Sequence, residues 1–461
     1  MKRRKAGEVI LSLVIAGLLT ALAATQARAV PSFARQTGQD CYRCHTMFPE
    51  LTPTGRVFKM TGYVINKTMS KCPPYPPVTA MVLNSYTHVN GALPPGTFAP
   101  DIWSLHSLSA NDGNDVIGSP QQFTMLYAGQ IYDKVGAFVQ GTYLDTSNKM
   151  SMDNSDVRYA NSTQVCDKDL IFGITVNNDP TVEDVWNTTP AFSFPYAASI
   201  FAPVPAASPL ITGLGAQVGG MGFYAYWDNL IYAAASVYRT SENGITLPFG
   251  SGNHPLGVQV DGALPYWRIA LTRQYGDHSI EIGTFGLSAD TFVGAVRGAP
   301  TDHFTDVAAD AQYQYRLDKH SFSVQTSWIH EDQGRSGSFD SKAASNTSDT
   351  LDTFKINGNY YYRTDKCGTI GGSVGFFSTT GTNDRELYAP APVSGSLSGS
   401  PDSNGVILEL DYFAPWKYAY TKFSLQYIIY NQFNGAGTNY DGSGHNASDN
   451  NTLYFLMWTA F

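Results

Sequence analysis

From Val78 to the C-terminus, the chain alternates polar and apolar residues with a period of two, which is the period of a β-strand. Two stretches show it most clearly: Ser323, Gln325 and Ser327 against Phe322, Val324 and Trp328, and Glu409 and Asp411 against Leu408, Leu410 and Tyr412. Polar residues toward a lumen and apolar residues toward lipid are typical of a transmembrane barrel. A soluble β-sandwich has the same period with its faces reversed, so the alternation alone leaves both folds open.

The spacing between the alternating segments favours the barrel. Tight hairpins are expected at 133–136, 228–229, 276–277, 318–319 and 365–368, and long polar loops at 146–168, 241–263, 333–350 and 381–403. Short turns at one end and long loops at the other are typical of outer-membrane barrels. The chain also ends on an aromatic residue, Phe461, after a last alternating segment. We interpret this ending as a signal for barrel assembly.

The number of strands follows from the same segments. Fifteen candidate strands are visible, and a sixteenth near Val182–Phe194 is needed to keep the short turns at one end. Beyond the N-terminus no apolar run reaches about eighteen residues, which excludes a membrane protein built from helices. We therefore predict a mainly β protein, a transmembrane antiparallel barrel of about sixteen strands over residues 78–461.

The N-terminus has the composition of an export signal. A basic start at Lys2–Lys5 is followed by an apolar run over Val9–Ala24 and by Ala27-Arg28-Ala29, which fits the small-x-small cleavage rule. An uncleaved membrane anchor is the alternative, and the short apolar run disfavours it. Residues 1–29 are thus predicted to be a signal peptide, and export places the cysteines in an oxidising compartment.

Cys41-Tyr42-Arg43-Cys44-His45 is the attachment signature of a c-type haem. Two thiols at this spacing add to the two vinyl groups of the porphyrin, and the next imidazole reaches the iron. The alternatives are a disulfide or a zinc site, but zinc would need a second ligand pair and none is present in the sequence. We predict one covalent haem c, held by Cys41, Cys44 and His45.

The second iron ligand is less well defined by the sequence. We predict Met60, because Met/His ligation suits a haem of high potential. Met69, Met81 and His88 are alternatives, and most methionines only fill gaps in a core. Residues 30–77, which end in the proline-rich connector after Cys72, form the predicted monohaem cytochrome c domain. So small a domain needs support, so we expect it to sit as a plug in the barrel mouth.

These N-terminal residues closely resemble the fused cytochrome–porin family. The resemblance rests on Pro31–Gly38, the CxxCH, Phe48–Pro53 and the pairs Gly55-Arg56, Phe58-Lys59 and Gly62-Tyr63. Residues 176–187 resemble a recurring barrel sequence of the same family, and Thr54 stands where relatives often carry Phe. The resemblance implies an outer-membrane monohaem cytochrome of a Gram-negative bacterium that oxidises ferrous iron.

The expected function is therefore one-electron transfer from extracellular Fe(II) through the haem to a periplasmic c-type cytochrome or cupredoxin. The alternative is a porin for small solutes whose haem is a redox gate or structural plug, and an adhesion barrel is disfavoured by the haem motif. Asp332, Asp340 and Asp349 are candidates to attract the cation. The net charge is −9 and no basic stretch lies outside the first five residues, so no nucleic-acid partner is expected.

Three further cysteines stand alone. We place Cys166 in a long loop and Cys367 at a short turn, at opposite ends of a barrel whose apolar band is about 25 Å tall. Disulfide partners need Cα atoms within about 7 Å, so Cys166 and Cys367 should not be bonded. Cys72–Cys367 is the allowed pair, and three unpaired thiols are the alternative.

Overall fold

The computed structural model describes residues 32–64, 77–91, 114–144, 149–240, 257–364, 366–416 and 419–461. The predicted signal peptide, the proline-rich connector, Met69 and Cys72 lie outside the described residues. Among the helices in the described ranges, none is long and apolar enough to cross a membrane.

The strands between residues 78 and 460 form one closed barrel in which every neighbouring pair is antiparallel. The strands are β3 (Val78–Val89), β4 (Asp115–Tyr132), β5 (Val135–Leu144), β6 (Lys149–Met152), β7 (Asp156–Val165), β8 (Lys168–Asn177), β9 (Gly219–Trp227), β10 (Ile231–Arg239), β11 (Val260–Asp261), β12 (Leu264–Tyr275), β13 (His278–Phe292), β14 (Thr301–Arg316), β15 (His320–Gly334), β16 (Ser348–Arg363), β17 (Thr369–Gly381), β18 (Ser403–Ala414), β19 (Tyr420–Gln432) and β20 (Thr452–Ala460). β20 pairs with β3 and closes the barrel.

These segments make sixteen continuous strands, as predicted. β6 and β7 both pair with β5 and form one interrupted strand, and β11 and β12 both pair with β13. The sixteenth strand is however residues 149–165, which we had predicted as a long loop, and the strand predicted near Val182–Phe194 is wrong. The sequence of residues 149–165 resembles a polar loop because the strand's lumen face is polar. Asp156 and Arg158 form a buried ion pair of 2.5 Å on that face.

The predicted alternation is confirmed along the wall. On β18, Glu409 and Asp411 are 3% and 4% exposed, whereas Leu408 and Leu410 are 42% and 68% exposed. β15 and β19 follow the same rule, with Gln325 and Gln426 buried and Trp328 and Leu425 exposed. Because the exposed side is the apolar one, the soluble sandwich is excluded, and the surface is that of a barrel embedded in lipid.

The two ends of the barrel differ in their connections. All turns at one end are short, and they include Asp228-Asn229 and Cys166-Asp167, whose four residues have φ between 52° and 59°. We call this the short-turn end; the other, long-loop end carries the connections 335–347, 382–402 and 433–451. The placement of Cys166 in a long loop is therefore wrong, because β7 and β8 are joined by a tight turn.

Cys166 and Cys367 thus lie at the same end. Their turns are eight strands apart in a sixteen-strand barrel, so they lie on opposite sides of the barrel opening. Both are exposed free thiols in the structure. The predicted absence of a bond between them agrees with this, for a different reason from the one given by the sequence. The predicted Cys72–Cys367 pair includes a residue outside the described ranges and stays a prediction.

Residues 32–64, the N-terminal segment, lie inside the barrel at the short-turn end. The segment contains α1 (Ser32–Thr37), α2 (Cys41–Cys44), β1 (His45–Met47), β2 (Glu50–Leu51) and α3 (Pro53–Met60). Its side chains reach inward-facing residues on several sides of the wall: Ser32 bonds Thr79 at 2.6 Å, Tyr42 bonds Thr369 at 2.8 Å, and Tyr63 bonds Asp156 at 2.7 Å.

Residues 178–218, the inward loop, leave the long-loop end and fold down into the lumen onto the N-terminal segment. The Lys59 ammonium donates to the carbonyls of Val182 at 2.6 Å and Asp184 at 2.7 Å. Val182, Val185 and Trp186 are at most 1% exposed. A strand was predicted here to keep the short turns at one end, but these side chains are buried by the lumen contents rather than exposed to lipid.

Candidate functional site

The CxxCH forms a single helical turn, α2, that is fixed at both ends. Asp40 caps its start by accepting a hydrogen bond from the Tyr42 amide at 3.1 Å. At the other end, the Thr52 amide donates to the Cys44 carbonyl at 2.9 Å, and the Thr52 hydroxyl donates to the Arg43 carbonyl at 2.8 Å. Thr52 also caps α3, so the two helices are held together by one residue.

Gly55 allows α3 to pack directly on α2. A Cβ atom added at Gly55 would overlap the carbonyl oxygen of Cys44 and would touch Leu51. Only glycine permits this backbone approach. The glycine of the Gly55-Arg56 pair therefore has a structural role, because its missing Cβ allows the short distance between the two helices of the site.

His45 directly follows α2 and is held in one orientation. Its Nδ1 lies 3.2 Å from the Pro49 carbonyl oxygen, so we assign the proton to Nδ1. Removal from solvent lowers the pKa of His45 to about 4. The imidazole is therefore neutral and its Nε2 has a free lone pair, which is the form that binds a metal, while the backbone bond orients the ring.

The two cysteines are partly buried thiols without activation. Burial, followed by the nearby Asp40 carboxylate, raises the pKa of Cys41 to about 11, and burial also raises the pKa of Cys44. Reactive cysteines of redox enzymes have lowered pKa values instead. Both sulfurs are free and neither forms a disulfide in the structure. The geometry thus gives no support to a thiol–disulfide function.

Cys41, Cys44 and His45 line one apolar cavity of about 190 Å³ between the N-terminal segment, the inward loop and the barrel wall. Its aromatic lining includes Phe33, Phe48, Phe58, Phe138, Phe192 and Trp458. Phe48 lies 4.9 Å from Trp458 and 5.3 Å from His45 between ring centroids. Two thiols and a neutral imidazole on one side of an aromatic cavity fit the requirements of a covalently attached porphyrin.

The same turn also faces an open, polar cavity of about 1000 Å³ at the short-turn end, which we call the mouth. Arg43 and His45 line it together with residues of the wall, among them Arg316 and Arg363. Arg316 donates to the Tyr42 carbonyl at 3.0 Å, and the Arg363 guanidinium lies 5.4 Å from the Tyr42 ring centroid. The CxxCH thus lies between an apolar cavity and an open, polar one.

Three predicted site residues come together, and Met60 does not join them. Met60 is buried in a different cluster with Trp186 and Tyr224, on the other side of α3. Met81, named above as an alternative, does line the cavity of Cys41, Cys44 and His45. Sequence reasoning cannot rank these two methionines, because the cavity is assembled from residues more than four hundred positions apart.

The three acidic residues proposed to attract a cation do not form one group. Asp332 and Asp340 are exposed, whereas Asp349 is 4% exposed and points into the lumen. Asp332 and Asp349 lie on neighbouring strands but face opposite sides of the wall, since Asp332 pairs with Thr350 and Gln333 pairs with Asp349. Among the described residues, no cluster of three or more His, Cys, Asp or Glu side chains could hold a metal ion.

No sequence motif indicates the contacts that fix the N-terminal segment. Glu50 is fully buried and accepts hydrogen bonds from Gln314 at 2.5 Å and Ser323 at 2.9 Å. Burial raises the pKa of Glu50. Alternating polar residues such as Ser323 are the only sequence signal for these contacts, and the signal does not name the partner.

The strand pairing defines the class of this chain as a sixteen-strand antiparallel barrel with a filled lumen. OmpT, an outer membrane protein of Vibrio cholerae, is similar over 83% of this chain and 98% of its own, with 9% identity and a TM-score of 0.45. An anion-selective porin from Comamonas acidovorans has the same coverages, 9% identity and a TM-score of 0.42. The channel DcaP of Acinetobacter baumannii covers 83% and 96%, with 10% identity and a TM-score of 0.44.

No family model and no curated protein matches the chain. The architecture accordingly rests on the chain's own strand pairing and on its outward-facing apolar side chains.

Proposed function

We propose that this chain is an outer-membrane haem c protein that carries single electrons across the membrane, with extracellular Fe(II) as donor. The observation that carries the proposal is the meeting of Cys41, Cys44 and His45 in one aromatic cavity inside a barrel lumen. Cys41 and Cys44 would hold the porphyrin, and His45 would bind its iron. Haem c supplies a one-electron redox centre whose potential depends on its axial ligands and surroundings.

The surrounding residues support this chemistry in two ways. The Pro49 carbonyl orients His45, and the aromatic lining keeps water from the cavity. The mouth leaves the CxxCH accessible from the short-turn end, where a soluble periplasmic c-type cytochrome or cupredoxin would approach. No general acid, base or nucleophile is required for one-electron transfer, which agrees with the unactivated thiols.

The outer-membrane location rests on the wall itself. The outward faces carry exposed apolar side chains, and the last residue, Phe461, closes the barrel by exchanging two backbone hydrogen bonds with Ala80, at 2.9 and 3.0 Å. Barrels of this construction with short turns at one end belong to bacterial outer membranes, with the short turns on the periplasmic side. Fe(II) as donor rests on the sequence resemblance alone.

Mass spectrometry of the mature chain, produced with a haem-maturation system, tests the haem directly. We expect one haem adduct per chain in the wild type and none in the Cys41→Ser/Cys44→Ser variant. Cys166→Ser/Cys367→Ser is the matched control and should keep the adduct, because both residues are exposed turn residues that do not line the cavity of Cys41, Cys44 and His45. A folded wild-type chain without haem would contradict the proposal.

A porin for small solutes is the second candidate, and one observation favours it. Beside the mouth, a further polar cavity of about 620 Å³ runs along α3 between Arg56 and Trp186. Open space therefore continues beside the N-terminal segment. Liposomes separate the candidates: an electron carrier reduces its haem when Fe(II) is added outside, whereas a porin lets sugars or ions pass.

A further inference from the structure

We propose that Met81, a residue of the barrel wall, is the second axial ligand of the iron; this rests on the haem of the proposed function. Met81 is 6% exposed and lies on β3 with its side chain inward. It lines the cavity that holds Cys41, Cys44 and His45. The redox centre would then be shared between the N-terminal segment and the wall.

Three buried methionines surround the site, and their positions distinguish them. Met47 packs against Tyr361 and Phe413, and Met60 packs in the cluster of Trp186. In the part of the chain that the structure describes, Met81 is the methionine that shares the cavity with His45. Met69 lies outside the described residues.

His45 and Met81 line the cavity from different parts of the molecule. The imidazole comes from the inner side, on the N-terminal segment, whereas the facing side is the wall formed by β3, β4, β5, β19 and β20. Met81 belongs to that wall and packs with Leu126 and Ala460, next to Phe48 and Trp458. A flat porphyrin between the two sides would therefore receive His45 on one face and a wall residue on the other.

Two other lining side chains that can bind iron, Lys59 and Tyr63, are already engaged. The Lys59 ammonium donates to two carbonyls of the inward loop at 2.6 and 2.7 Å. The Tyr63 hydroxyl donates to Asp156 at 2.7 Å. The Met81 thioether sits among apolar neighbours, needs no deprotonation to bind iron, and gives the Met/His ligation that raises a haem potential.

The test uses the full chain matured with haem and three matched variants, Met81→Leu, Met60→Leu and Met47→Leu. Each replaces one buried methionine by an apolar residue of similar volume, a change that cores tolerate well. We expect all three to keep one haem adduct by mass. Met81→Leu alone should lose the weak far-red charge-transfer band, have a lower reduction potential, and bind carbon monoxide in the reduced state.

A Met81→Leu variant that keeps the band would overturn the proposal, and loss of the band in Met60→Leu would assign the ligand to Met60 instead. If the leucine variant does not fold, Met81→His decides, because it should remain low-spin without the far-red band. A wild-type chain with no haem adduct would refute the proposed function itself, whereas an adduct with an unchanged Met81→Leu spectrum would refute only the Met81 assignment.

Discussion

Replacing Arg268 tests how the inward loop is held in the lumen. Arg268 on β12 is completely buried, and its guanidinium contacts three carboxylates: Asp310 at 2.7 Å, Glu281 at 3.1 Å and Asp184 at 3.2 Å. Asp184 belongs to the inward loop and the other two to the wall. The guanidinium also lies 5.4 Å from the ring centroid of Trp186, a second loop residue. Arg268 thus connects loop and wall.

Arg268→Met keeps most of the side-chain volume but leaves three buried carboxylates without their cation. Removing one partner of a buried ion pair is expected to destabilise a protein by about 3–5 kcal/mol, because the remaining charge is buried and uncompensated. If the free energy that holds the inward loop on the wall decreases by about 3 kcal/mol, the population with a detached loop rises about a hundredfold.

The assay compares urea unfolding in detergent micelles and single-channel conductance in planar bilayers. Arg273→Met is the matched control, since Arg273 lies on the same strand but is exposed, 5.6 Å from the Tyr275 ring centroid. An exposed cation contributes about 1 kcal/mol or less. We expect Arg268→Met to unfold at lower urea and to conduct more. Equal unfolding midpoints for the two variants would refute the anchoring role.

Three further predictions concern other parts of the molecule. Gly55→Ala should destabilise the protein by about 1–3 kcal/mol and lower the yield of haem adduct, because its Cβ overlaps the CxxCH backbone; Gly358→Ala, where the added atom meets open space, is the control and should match the wild type. Burial raises the pKa of Glu183 to about 6, so the folded carboxyl binds its proton more tightly than the unfolded one, and the stability that the protonated carboxyl contributes is lost as pH rises from about 4.5 to 6. The free energy of unfolding of Glu183→Gln should therefore rise by about 2 kcal/mol relative to the wild type between pH 4.5 and 7. A difference that does not change with pH would contradict this. Under reducing conditions, Cys166 and Cys367 should both resist a membrane-impermeant maleimide in intact cells and react after the outer membrane is permeabilised, unlike a cysteine introduced in a long loop; labelling of only one of the two would contradict their placement at one end.

The barrel could be predicted because lipid and lumen select opposite residues at every second position, as Glu409 and Leu410 illustrate. The prediction was wrong where this selection does not apply. Residues 149–165 have a lumen face as polar as a loop, and Val185 and Trp186 are apolar because the lumen is filled around them. A single sequence carries no signal that separates burial by lipid from burial by an inward loop.

The site was predictable only as far as it is local. Cys41, Cys44 and His45 are consecutive motif residues, so their chemistry can be inferred from their spacing. The cavity that surrounds them includes Met81, Phe192 and Trp458, which no sequence period relates to one another. The residue proposed as second iron ligand can therefore be named only once the closed barrel is known.

The pairing of β20 with β3 has a consequence for the order of biogenesis. The N-terminal segment lies inside a ring that closes only when the last strand of the chain meets the first. The CxxCH can be reached through the mouth, but the apolar cavity that would hold the porphyrin lies behind it, between the N-terminal segment, the inward loop and the wall. Loading of the proposed haem should therefore precede closure: the periplasm would receive an unclosed chain that already carries haem, and the membrane insertion machinery would close the wall around it.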